Sequence, residues 1–187
     1  RARIVWANSP AFEARVARAI EAALRRPRDA VASRHDVAQM RMLMAREHPP
    51  WSFWDMKRAC GGLIDCEFAA QAMQLAHAAQ GGPLREGTVA AMTALCEAGR
   101  IPADKAAALV DAWTLQQGLA QLLRSSLDRR SDPELEPRGF QQRLARIAGA
   151  TDLADLRVRV QAARDRAREA YLDLLQPTSD GMGAERR

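Results

Sequence analysis

Apolar positions recur along this chain at steps of three and four, and each run begins and ends at residues that start and stop helices. Phe12, Val16, Ala19, Ile20, Ala23 and Leu24 form the first stripe, behind Ser9 as a cap and Pro10 at the first helical position. They predict a helix from about residue 10 to 25. Pro27 stops it and Asp29 caps the next helix. Val37, Met40, Leu43 and Met44 give that helix its inward stripe until Glu47-His48-Pro49-Pro50 ends it. Trp51 to Met56 concentrates rings just after the double proline and reads as an ordered loop pinned to the helices.

A helix from about residue 63 to 80 is apolar on two faces, Ile64, Phe68, Ala72, Leu75 and Ala79 on one and Leu63, Ala69, Ala70, Met73 and Ala76 on the other. It is therefore expected at the centre of the fold. Gly81-Gly82-Pro83 terminates it, Thr88 caps a fourth helix through Val89, Met92, Leu95 and Cys96, and Gly99 closes that one. Pro102 restarts the chain for a long helix from 103 to about 127. Gln116, Gln117 and Gln121 interrupt its apolar surface and read as a polar edge toward a partner. After a polar loop from Ser131 to Pro137, a short helix runs from Phe140 to Ala148. Asp152 then opens a last helix whose Leu153, Leu156, Val160, Ala163, Ala167, Tyr171 and Leu174 lie close to a heptad seam.

These elements describe an all-α bundle of about five to seven helices over residues 9–175. Ile4-Val5-Trp6, within residues 1–8, reads as the terminal strand of another domain. Residues 176–187, rich in Gly, Ser and charge, read as a disordered tail. Composition agrees: 48% hydrophobic and 27% charged residues suit a domain able to bury a core, and the scarcity of aromatic and β-branched residues favours helix. The net charge of +5 comes mostly from Arg dispersed among Asp and Glu. It lacks the basic run interleaved with aromatics that a nucleic-acid groove needs, so nucleic acid and a basic RNA-binding bundle gain no support. No apolar run reaches membrane-span length, and a cytoplasmic location is expected.

Cys60, Cys66 and Cys96 make an odd set, against a disulfide framework. Cys60 and Cys66 are six positions apart, outside the spacing of zinc knuckles, and His35, His48 and His77 fall in no ligand pattern, so no metal site is expected. The densest special stretch is Lys57-Arg58-Ala59-Cys60-Gly61-Gly62-Leu63-Ile64-Asp65-Cys66-Glu67-Phe68. Its glycines lead into a helix whose first turns carry Asp65 and Glu67, where the helix dipole favours negative charge. Two readings stand: a well-made helix start, or a cleft faced by Lys57, Arg58, Gly61, Gly62, Asp65 and Glu67. No nucleophile elbow, phosphate loop or zinc-peptidase motif occurs, so no catalytic residue is assigned.

Trp54-Asp55-Met56-Lys57-Arg58-Ala59-Cys60-Gly61-Gly62-Leu63-Ile64-Asp65-Cys66-Glu67-Phe68, followed by Gln71 and Gln74-Leu75-Ala76-His77, resembles the signature of the glutamine synthetase adenylyltransferase family, approximately Asp-Leu/Ile-Lys and then Gly-Gly-Leu-Val-Asp-Ile-Glu-Phe. The likeness extends more loosely from Arg1 to about Leu175. It implies a nucleotidyltransferase-associated helical domain, following the second, adenylylating half of a bifunctional enzyme that attaches AMP to, and removes it from, a tyrosine of glutamine synthetase. It implies ATP and Mg²⁺ for the full-length enzyme, none bound by this stretch alone. The implied partners are its own nucleotidyltransferase domain, glutamine synthetase and the PII signalling protein. Cys60 and Cys66 depart from the family pattern, so essential chemistry is not expected there. The Gly-Ser and Asp-x-Asp motifs of polymerase-β-like transfer do not occur, so the chain alone is expected to be inactive. An interaction module for glutamine synthetase or PII is the alternative.

Overall fold

The computed structural model describes residues 3–128 and 131–175. Seven α-helices and one short 3-10 turn make an all-α bundle among these residues: α1 (Pro10–Leu24), α2 (Ala30–Glu47), α3 (Leu63–Ala78), α4 (Thr88–Glu97), α5 (Ala103–Ser126), the turn Pro133–Leu135, α6 (Arg138–Ile147) and α7 (Leu153–Leu175). Caps follow local chemistry. The Ser9 hydroxyl accepts from Phe12 N–H at 3.3 Å, Asp29 accepts from Val31 and Ala32, and Asp152 accepts from Asp155 N–H at 2.8 Å. Thr88 is the first helical residue of α4 and not its cap, a position taken by Gly87.

α3 is the central helix, with Leu63, Ile64, Cys66, Ala69, Ala70, Ala72 and Met73 buried on both faces. Its many alanines let α4, α5 and α7 approach, and Met92, Leu95, Leu109, Ala167 and Tyr171 complete that core. A second core joins Trp54 and Met56 to Leu119, Leu144, Leu156 and Val160. α5 and α7 run antiparallel through both: Leu109 meets the late turns of α7, whereas Leu119 meets its early ones.

Two faces differ from the sequence expectation. α1 buries no residue and is tied to the bundle by Arg25, whose guanidinium donates to the carbonyls of Ala78 at 2.9 Å and Gly82 at 3.2 Å. In α2, Met40 and Leu43, expected inward, are 51% and 43% exposed, while Arg41 is buried at 4%. The helix is turned so that Arg41, between half-buried Val37 and Met44, reaches Asp65 of α3, and Met40 and Leu43 lie outside that face. Residues 3–9 carry no strand, and Val5 and Trp6 are exposed. The expected tail at 176–187 lies outside the described residues. No helix among the described residues is long and apolar enough to cross a membrane.

Candidate functional site

The loop between α2 and α3 is built from its own polar groups before anything packs on it. The Asp55 carboxylate accepts from the backbone N–H of Lys57 at 3.2 Å, of Arg58 at 3.1 Å and of Trp51 at 3.4 Å. The first free N–H groups of α3 are taken by this loop as well, Leu63 N–H donating to the Met56 carbonyl at 2.9 Å and Ile64 N–H to that of Lys57 at 3.2 Å. Gly62 permits this fold-back, since a Cβ there would sit 2.7 Å from the Ala59 carbonyl oxygen. Gly61 permits contact with α7. It has φ +69°, and its Cβ would lie 1.9 Å from the backbone oxygen of Arg164.

Two buried cation clusters lock the loop. On one side Asp65, fully buried, accepts from Gly61 N–H at 2.7 Å and from Arg168 at 3.1 Å, and its other oxygen takes the Arg41 guanidinium. Arg41 also donates to the Arg58 carbonyl at 3.0 Å, so α2, α3, α7 and the loop share one carboxylate. On the other side Arg164 donates to Gln116 Oε1 at 3.0 Å, to the Phe53 carbonyl at 2.9 Å and to the Asp55 carbonyl at 3.4 Å. Gln116 in turn donates to the Gly61 carbonyl at 2.8 Å. Arg164 also lies 4.9 Å from the centre of the Phe53 ring. Burial pulls the Arg164 guanidinium down to about 10, opposed by the charge of Asp55, so it remains protonated at neutral pH. Burial, then the Asp65 charge, pushes the Tyr171 phenol up to about 12, and burial pushes the Cys66 thiol to about 12.

The six cleft candidates separate. Gly61, Gly62 and Asp65 are buried at the join between loop, α3 and α7, and Glu67 is half-buried on α3. Lys57, exposed, and Arg58, half-buried, line an open cleft of about 530 Å³ between the loop and the second half of α5, together with Gln117, Gln121 and Arg124. Gln116, expected on the same polar edge, is instead buried within the Arg164 cluster. A cleft of about 540 Å³ lies between α1 and the α3–α4 connection, lined by Gln71, Gln74 and Arg85 among others. Three residues of the lock, Arg41, Arg164 and Arg168, escaped the sequence reading. Their signal was positional: Arg41 falls between Val37 and Met44 on one helical face, and Arg164 and Arg168 sit four residues after Val160 and Arg164 along the buried side of α7.

Asp55 and Asp65 are committed to N–H groups and guanidinium, and no three His, Cys, Asp or Glu side chains converge as metal donors among the described residues. These residues do not fit a Mg²⁺ triphosphate centre, and no step is assigned through one.

Residues 29–175 match the model of the family described as GlnD PII-uridylyltransferase. The chain is 48% identical over 171 residues, 91% of its own length, to a bifunctional glutamine synthetase adenylyltransferase/adenylyl-removing enzyme of Caulobacter vibrioides, of which it covers 17%. It is 37% identical over 179 residues to the enzyme of the same description in Bradyrhizobium sp. strain BTAi1, and 36% identical over 176 residues to that of Rhodopseudomonas palustris strain HaA2. Each of these two alignments spans 94% of this chain and 18% of the relative. The chain thus spans less than a fifth of these relatives' length. It belongs to the glutamine synthetase adenylyltransferase family.

Proposed function

We propose that this chain is the helical domain that follows the adenylylating nucleotidyltransferase domain of a cytoplasmic, bifunctional glutamine synthetase adenylyltransferase, which transfers AMP from ATP to a tyrosine of glutamine synthetase and so regulates nitrogen assimilation. ATP and Mg²⁺ act in the nucleotidyltransferase domain, and the helical domain braces that domain and helps dock the protein substrate. The observation that carries this reading is the double lock on the signature stretch. Gly61, Gly62 and Asp65 hold the 51–62 loop rigid against α2, α5 and α7, and the rigid loop presents Lys57 and Arg58 to an open cleft. A site held this firmly but lacking metal donors suits positioning and docking more than catalysis.

Incubating the chain with glutamine synthetase, ATP and Mg²⁺ and detecting tyrosine-linked AMP by mass spectrometry tests the assignment. No product is expected from the chain alone, product is expected from the full-length enzyme, and transfer by the chain refutes the reading. A second reading, a module that binds glutamine synthetase or PII without bracing the catalytic domain, draws on the cations of the cleft. Removing the domain from the full-length enzyme separates the two. Bracing predicts loss of AMP transfer to whole glutamine synthetase and to a short tyrosine peptide alike, whereas a pure docking role predicts loss on the whole protein only.

A further inference from the structure

Lys57, Arg58 and Arg124 meet on one cleft short of carboxylate partners. Arg58 has Asp55 at 4.0 Å, and among the described residues the side chains of Lys57 and Arg124 enter no ion pair. Cations of the packed interior and of α7 are matched, by contrast: Arg41 and Arg168 share Asp65, Arg157 takes Glu134, and Lys105 sits among Asp104, Glu169 and Asp173. Asp55 and Asp128 are the acids on the cleft wall, and the Asp55 carboxylate already accepts from three backbone N–H groups of its own loop.

We propose that this cleft binds an extended acidic peptide segment of a partner protein, its carboxylates on Lys57, Arg58 and Arg124 and its backbone on Gln117 and Gln121. The two glutamines stand one turn apart on α5, and each side-chain amide both donates and accepts, as a peptide group requires. Leu123, Leu127 and the half-exposed ring of Trp51 give the same cleft apolar surface for a neighbouring side chain. The volume of about 530 Å³ falls in the range of ligand-binding clefts.

The backbone argues against a phosphate as the occupant. Phosphate sites gather free N–H groups at a helix start or a glycine nest. Here the N–H groups of Lys57 and Arg58 belong to Asp55, those of Gly62, Leu63 and Ile64 belong to loop carbonyls, and Gly61 is packed on α7 with its N–H on Asp65. What remains is long cationic side chains on two walls, an arrangement suited to charges spread along a chain. This inference deepens the docking role proposed above and rests on it for the partner's identity, not for its chemistry.

The test is fluorescence anisotropy of a labelled peptide carrying four glutamates around a leucine, titrated with the chain at low salt. The wild-type chain is expected to bind it. The K57E/R124E double variant should bind at least about tenfold more weakly, and added salt should weaken the wild type in the same direction. R18E, a charge reversal on the exposed face of α1, should bind as the wild type does. Circular dichroism confirms the fold of each variant, both cleft positions being exposed or at the rim. Absence of wild-type binding, equal binding of a peptide with glutamine in place of glutamate, or equal loss in R18E overturns the proposal. So does displacement by ADP or by a single-stranded oligonucleotide at lower concentration than the unlabelled peptide. The anisotropy reads the cleft alone, while AMP transfer by the full-length enzyme carrying K57E/R124E reads the function proposed above, so the two fail separately.

Discussion

Replacing Gly61 by alanine places a methyl carbon 1.9 Å from the backbone oxygen of Arg164, 2.6 Å from its carbonyl carbon and 2.8 Å from its Cα. All three are backbone atoms in the middle of α7, so no rotamer change relieves the overlap. The loop must back away by about 1.5 Å to restore ordinary contact. That movement stretches the bond from Gln116 to the Gly61 carbonyl, 2.8 Å, and the bond from Gly61 N–H to Asp65, 2.7 Å. A neutral buried hydrogen bond is worth about 1 kcal/mol and one to a carboxylate about 2 kcal/mol. The left-handed backbone at φ +69° adds about 1 kcal/mol for any residue with a Cβ. The sum, roughly 4 kcal/mol, corresponds to a fall of about 8–16 °C in Tm for a domain of this size. Gly99→Ala is the control, because φ is +64° there but a Cβ meets nothing within 4 Å. It should lower Tm by about 2–4 °C. Thermal denaturation followed by circular dichroism decides, and equal shifts for the two variants refute the claim that the glycine serves close approach.

Three further outcomes follow from the same packing. Asp65→Asn leaves Arg41 buried without its counter-charge and should lower stability by about 3–5 kcal/mol in urea denaturation; a loss under 1 kcal/mol contradicts the central role of that carboxylate. Met40→Glu with Leu43→Glu, on a face read from sequence as inward, should change stability by about 0.5 kcal/mol or less per site, and a multi-kcal/mol loss would place α2 in another orientation. The Cys66 thiol is held up at about 12 against an ordinary value of 9.0. Its raised value stabilises the fold fully below pH 9, and the contribution is lost as pH rises toward 12, because the unfolded chain ionises first. The stability difference between wild type and Cys66→Ala should therefore shift against the wild type by about 1.4 kcal/mol from pH 8 to pH 10; a constant difference shows that the thiol is not desolvated.

The signature stretch shows where reading from sequence stops. Glycines followed by acids at a helix start read first as a good N-terminus and only second as a cleft wall, since local rules describe only the helix itself; the family resemblance is what gives the cleft its weight. Asp65 does serve the start of α3, by reaching back to Gly61 N–H, but Arg41 and Arg168 arrive from residues 24 earlier and 103 later in the chain. Lys57 and Arg58 do reach an open cleft, whose other wall comes from α5. α2 was misread for the same reason: hydrophobicity ranked Met40 and Leu43 as inward, and a partner on another helix made Arg41 the buried residue instead.

The sequence by itself determined the all-α class, the positions of most helix starts and stops, the central place of α3 and the likeness to the adenylyltransferase family. Caps, prolines and the three-and-four spacing act over a few residues, and a matching motif needs no geometry. Only the tertiary structure decided which faces turn inward, why Gly61 faces the backbone of Arg164, and that the signature divides between a buried lock and an exposed pair of cations. Those outcomes depend on electrostatic partners far apart in the chain, and their energies exist only once the helices have packed.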